Sequence, residues 1–278
     1  QAYAVVPEGS GGSFTGLSVY SETDLGLLYG ARTLRQMMLP SLRGNQQGET
    51  EVEVPELTLV DWPDIGERGQ WGGSASTDLA WLAERKFNVV EYAARLSCDA
   101  AGKGSAVVAP ALLEEAARVG IKIVPYITHL ELLFQIYNLF EQKPEIASTQ
   151  PLPSDYSPGV CFSNPESTTV LEDWLSDLVR IPGVRDVMVW LSEAAAPCYC
   201  EKCSGKEPFT MEIAAISRAF DSARKHNPDA VLRVLLTQGS YQVNDRVLDA
   251  APEHVKITYY HGGLTYDSSH NPMIYPRL

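Results

Sequence analysis

The chain has 278 residues, 45% hydrophobic and 21% charged, with a formal net charge of −13. That length can bury the core of one large α/β domain or two smaller ones. The acidic balance, without any clustered Lys/Arg stripe, argues against a nucleic-acid partner; no apolar run reaches the ~18–20 residues that cross a bilayer; a neutral ligand such as a sugar is compatible with both.

The chain opens at Gln1 without a signal-peptide pattern, an opening compatible with a removed leader. "QAYAVV" and "FTGLSVYS" alternate in polarity around a Gly-Ser stretch and predict two strands and a turn. "TDLGLLYGARTLRQMML" places Leu25, Leu28, Tyr29, Arg32, Leu34 and Met38 at helical spacing behind a Thr23 or Asp24 cap. "EVEVPELTLVDWPD" returns to strand-like alternation. Residues 1–56 thus read as part of a small α/β domain, too small to be complete.

From residue 57 onward strand–helix units repeat. Strands are expected at 57–62, 88–96, 121–129, 185–193, 230–240 and 254–263, with helical patterns between them. Most are continuous apolar runs, the mark of strands buried on both faces of a parallel sheet. A doubly wound sheet and a (β/α)8 barrel both fit. No Gly-rich phosphate loop follows the first strand, and Asp61, His129, Glu193, Gln238 and His261 all fall at strand C-terminal ends, where a barrel keeps its active site. The expectation for 57–278 is an α/β fold, a (β/α)8 TIM-type barrel truncated after about six units, in a fragment of a longer protein.

Within "VMVWLSEAAAPCYCEKC", the apolar residues Val187–Trp190 would strip water from a carboxylate at Glu193, as a general acid requires. A solvated loop glutamate is the plain alternative. The second carboxylate that glycoside hydrolysis needs has candidates in Glu91, Asp99, Asp61 and Asp64, each also at home as a cap or salt-bridge residue. Aromatic rings that could pack on sugar C–H faces include Trp71, Tyr92, Tyr126, Trp190, Tyr241, Tyr259 and Tyr260. Trp71, in "GQWGGS", suits a subsite wall, whereas Trp190 reads as core.

Three of the five cysteines, Cys198, Cys200 and Cys203, form a tight knuckle. Such a knuckle suits a structural zinc, with Cys161 first in line as fourth ligand, then Cys98 or a histidine. One disulfide with the remaining thiols free is the other reading. Either would stiffen the loop after Glu193. No HExxH-type spacing points to a catalytic metal.

"GLLYGARTLRQMM" followed by "VDWPDIGERG" resembles the domain junction of glycoside hydrolase family 20, the β-N-acetylhexosaminidases. "CFSNPESTTVLEDWLSDL" and "IVPYITH" are similar to that family's segments before the fourth strand and in the third. Related families with the same two-domain layout share parts of this pattern. The resemblance implies a glycosidase without a catalytic cofactor, periplasmic or secreted, acting on a β-linked N-acetylhexosamine-type glycan. It implies Glu193 as general acid, His129 as its support and Arg68 as a ligand of sugar hydroxyls. Trp71, Ser192, Tyr260 and His261 complete the expected substrate-binding set. Two departures stand out: Ser192-Glu193 replaces Asp-Glu, and the second strand reads Glu91-Tyr92-Ala93-Ala94-Arg95 where the family has His-x-x-Asp. They leave open a different glycoside, such as a uronide or an internal glycan linkage, or a carbohydrate-binding protein without activity.

Overall fold

The computed structural model describes residues 1–10, 12–44, 50–54, 56–71, 78–148, 158–194 and 197–259, apart from the side chain of Gln135. The chain divides into two compact units: Gln1–Val90 with Glu115–Lys122, and Glu91–Glu114 with the residues from Ile123 onward.

In the first unit, β1 (Tyr3–Ser10) pairs antiparallel with β2 (Ser13–Tyr20). Helix α1 (Asp24–Met38) begins at Thr23, whose side chain accepts from the Gly26 amide. A β-carbon at Gly30 would stand 2.3 Å from Val19 Cγ1, so glycine is what lets the helix lie this close to the strands. The core of this unit is Tyr3, Val5 and Tyr29, with Leu17, Val19, Leu25, Leu34 and Leu59 packed against it. Strands β3 (Arg43–Gly44) and β4 (Thr50–Glu51) form a separate small pair.

Strand β5 (Leu59–Asp61) differs from expectation. Segment 57–62 was expected to open the barrel, but β5 pairs antiparallel with β1, Tyr3 opposite Asp61. Asp61 accepts from the Tyr3 hydroxyl and pairs with Lys86 at 3.1 Å, and the Tyr3 hydrogen bond holds its carboxyl below the usual range. The parallel sheet instead begins at β6 (Gly69–Trp71). Helix α2 (Leu79–Glu84) follows, capped by the Asp78 carboxylate on the Trp81 amide, and buries Leu79, Leu82 and Ala83.

Strand β7 (Val89–Ala93) runs from the first unit into the second. A hairpin not expected from the sequence follows, β8 (Arg95–Cys98) with β9 (Gly104–Val107). Asp99 accepts from the Ala101 and Lys103 amides, and Gly102 takes φ +79°, so the turn is locally specified. Next come α3 (Pro110–Arg118), β10 (Lys122–Ile127), α4 (Leu130–Ile136), α5 (Leu139–Gln142) and α6 (Glu166–Arg180). Helix α6 holds the hairpin through Trp174 Nε1 on the Ser97 carbonyl and through Asp173 and Asp177 on the Gly104 and Ala106 amides. The remainder is β11 (Asp186–Trp190), α7 (Pro208–Ala223), β12 (Val231–Leu236), α8 (Asn244–Ala250) and β13 (Lys256–Tyr259). Expected strand 254–263 continues past β13 into residues outside those described, which include Tyr260 and His261.

The sheet order is β13-β12-β11-β10-β7-β6. Its strands are parallel and alternate with helices, the pattern of a (β/α)8 barrel represented by six strands. Val187, Met188 and Val189 of β11 are fully buried, as a strand covered on both faces requires. No helix among the described residues is long and apolar enough to cross a membrane.

At the N-terminal end of the β11–β12 pair, Arg233 Nε donates to Asp186 Oδ2 at 2.6 Å, with both residues buried. Removing either partner strips the other of this bond while its charge stays buried; for Asp186, Lys256 Nζ at 3.8 Å compensates in part. Asp186→Asn or Arg233→Met is expected to lower the unfolding free energy by about 3–5 kcal/mol. The double variant is expected to regain most of it. Urea unfolding of the three variants checks this, and additive losses would contradict it.

Candidate active site and cysteine cluster

The β11 ladder runs one residue past the strand, since the Leu191 amide donates to the Leu235 carbonyl at 3.0 Å. The chain then turns, and the Glu193 side chain emerges about one-third exposed (31%) at the C-terminal end of the fourth parallel strand. His129, just past β10, is buried. Its Nδ1 lies 2.8 Å from the Leu191 carbonyl, which can only accept. In the neutral ring Nδ1 therefore carries the proton, and the Nε2 lone pair faces Glu193 Oε1 at 3.6 Å. Trp190 fixes the far side of the imidazole, with ring centroids 5.5 Å apart, and itself stacks on Tyr126 at 4.4 Å.

Beneath the turn lie groups that sequence reading missed. The Ser192 amide and hydroxyl both donate to Glu212 Oε1, at 3.0 and 2.8 Å. The Glu193 amide donates to Glu131 Oε1 at 2.9 Å. Both glutamates are 1% exposed. Burial first, and then repulsion from Glu131, holds the Glu212 carboxyl well above the usual range. The Thr237 hydroxyl donates to the Ser192 carbonyl at 2.7 Å, and Ser240 secures Thr237 from below. A β-carbon at Gly239 would lie 2.2 Å from the Glu193 carbonyl oxygen, so the β12 loop passes hard against the turn. The available sequence signal was a carboxylate on a buried helical stripe: Glu212 shares one with Phe209, Ile213, Ile216 and Phe220.

Of the residues expected at a site, His129, Ser192 and Glu193 come together here. Ser192 is buried, with its hydroxyl turned inward to Glu212. Arg68 and Trp71 belong to the first unit. There the Arg68 guanidinium donates to the Ile65 and Lys86 carbonyls and to the Tyr29 hydroxyl, while Trp71 is exposed. Tyr260 and His261 lie outside the described residues.

Four of the cysteines also meet. Cys161 stands between the strand-like bridge at Val160 and helix α6. The knuckle turns back on itself through the Cys203 and Ser204 amides, both donating to the Cys200 carbonyl. The sulfurs of Cys161, Cys198, Cys200 and Cys203 all lie within 4.8 Å of one another. Cys161 Sγ is 3.8 Å from both Cys200 Sγ and Cys203 Sγ, so neither pair is a disulfide. Thiolates at ~2.3 Å from a tetrahedral ion stand ~3.8 Å apart, so these residues fit a structural metal. Burial pushes the Cys161 thiol up to about 12, and a hydrogen bond from Ser163 brings Cys200 down to about 6. Cys98 ends β8 and is not one of the four.

No protein-family model matches the chain, and no curated protein sequence matches it. Solved structures do. A β-N-acetylhexosaminidase of Bacteroides fragilis matches over 96% of this chain and 58% of its own, at 14% identity and a TM-score of 0.57. The N-acetyl-β-hexosaminidase of Streptomyces plicatus matches over 94% and 54%, at 17% identity and 0.55. The family 20 enzyme of Streptomyces coelicolor matches over 94% and 55%, at 13% identity and 0.58. What these likenesses show is the fold, that of the family 20 hexosaminidases. The chain spans little more than half the length of these enzymes.

The close approach at Gly239 generates a test. Gly239→Ala forces main chain apart on both sides and is expected to cost about 1–3 kcal/mol in urea unfolding. Gly16→Ala, where the added carbon meets nothing within 4 Å, serves as control. Equal stability of the two variants would contradict the tight packing.

Proposed function

We propose that this chain carries the general acid of a glycoside hydrolase acting on a β-linked N-acetylhexosamine-type glycan. The observation that carries the reading is Glu193, partly exposed at the end of the fourth parallel strand with His129 Nε2 at 3.6 Å, on a hexosaminidase fold. Protonated Glu193 gives its proton to the glycosidic oxygen as the bond to the leaving group breaks. His129, fixed by the Leu191 carbonyl and Trp190, keeps the carboxyl in place and offers its lone pair to the same proton. Arg68, Trp71, Tyr260 and His261 are the proposed sugar contacts.

A second reading, hydrolysis of a different glycoside such as a uronide or an internal linkage, draws on Ser192. The family pattern has an aspartate there for the substrate acetamido group; Ser192 is buried and engaged with Glu212. A panel of chromogenic glycosides, assayed on the native protein that contains this chain, separates the two. Glu193→Gln is expected to lower turnover of a poor-leaving-group glycoside by ~10²–10⁴-fold. Turnover near wild type would rule out the assignment.

We also propose that Cys161, Cys198, Cys200 and Cys203 hold one structural zinc ion. The sulfur spacing supports this, and so does chemistry: an ion removes the penalty of a buried thiolate at Cys161. Bound there, it ties the segment after Glu193 to the start of α6. Elemental analysis is expected to find about one zinc per chain, consistent with a four-thiolate site, and Cys161→Ser together with Cys203→Ser is expected to abolish it. Metal-free protein with a disulfide among the four would overturn the proposal.

A further inference from the structure

Glu131 and Glu212 lie outside the family pattern, yet both touch the main chain that carries Glu193. Each is 1% exposed. They accept from the amides of Glu193 and Ser192 respectively. Those residues are consecutive, so the two carboxyl groups hold one turn, and Glu131 is close enough for its charge to act on Glu212. Neither has an ion-pair partner among the described residues, and Glu131 Oε2 is buried without any hydrogen-bond partner. Burial with a second acidic group nearby makes ionising Glu212 costly, and its protonated form still accepts from Ser192.

We propose that Glu131 and Glu212 are positioning residues that together fix the Ser192–Glu193 backbone from which the acid projects. This rests on the reading of Glu193 as general acid. Glu212 sits on α7 and meets Ser192 from the turn, Glu131 from α4 and Glu207 at the helix cap. Glu131 sits on α4 and meets the Glu193 amide, two residues after His129. Glu212 therefore faces acidic and neutral groups, and His129 lies two residues before Glu131 in the chain. Burial and Glu131 raise the Glu212 carboxyl, so the native state keeps a proton that the unfolded chain loses near ~4.3. The stability this contributes is fully present below that pH and is lost as pH rises through the native value.

Glutamine at 212 imitates the protonated carboxyl: its oxygen accepts from Ser192, and its amide can donate to Glu131 Oε2. The test is thermal unfolding of wild type and Glu212→Gln from pH 4 to 9. The variant is expected to gain on wild type by about 3–5 °C per pH unit above ~4.3, until native Glu212 titrates. A constant offset across the range overturns the proton held at Glu212. This readout needs no activity, so it stands apart from the glycosidase reading, which Glu193→Gln decides. The positioning role is read from kinetics on a poor-leaving-group glycoside. Glu131→Ala, which deletes the acceptor for the Glu193 amide, is expected to lower kcat by ~10-fold or more at little change in KM, a part of the ~10²–10⁴-fold that a general acid contributes. Glu131→Gln is expected to restore most of it. Equal kcat in wild type and Glu131→Ala, or no rescue by Gln, overturns the positioning role.

Discussion

Two consecutive backbone amides, at Ser192 and Glu193, end on two buried carboxylates, and the rest of the site is arranged around that constraint. A loop after a strand would ordinarily be free to sample several conformations. Here the turn is gripped from several sides. Glu212 and Glu131 hold the amides, Thr237 holds the Ser192 carbonyl, and Gly239 closes on the Glu193 carbonyl. His129 is in turn held by the Leu191 carbonyl of the same stretch. A carboxyl group can act as a general acid only when its reach to the substrate is fixed to fractions of an ångström. The side chain of Glu193 is partly exposed, so that rigidity comes from the main chain beneath it.

The cysteine cluster extends the same logic outward. Cys198 lies five residues beyond Glu193, and Cys161 precedes α6, which carries the β8–β9 hairpin. Linking the four sulfurs closes a long chain segment between positions 161 and 198. The unfolded chain loses much of its freedom through such a closure, and more so for longer loops. With the proposed ion bound, the site would be braced by buried carboxyl groups on one side and by thiolates on the other.

Strands such as β11 were legible because a fully buried parallel strand must be a continuous apolar run, and Val187–Trp190 is one. The strand at 57–62 was visible as a strand but was assigned to the wrong sheet. Alternating polarity in "LTLVD" describes a half-buried strand equally well in either place, and only the pairing with β1 decides. The β8–β9 hairpin escaped because its strands are four residues each and largely polar on one face. Its "CDAAGKG" turn was a usable signal. The three-cysteine knuckle was plain from spacing, and Cys161 could be named from its place at a junction. Glu131 and Glu212 could not be assigned a role: a charge on an apolar stripe says that a partner exists, but the partner is a backbone amide many residues away.

The central claim is that Glu193 protonates the departing oxygen. A series of aryl glycosides graded by leaving-group acidity, hydrolysed by wild type and by Glu193→Gln, tests it most directly. A leaving group that departs readily as an anion needs no proton. The account predicts that the rate loss in the variant is large for poor leaving groups and shrinks towards none for the best. A loss of the same size across the series would contradict it, and would reduce Glu193 to a residue that binds or supports the substrate.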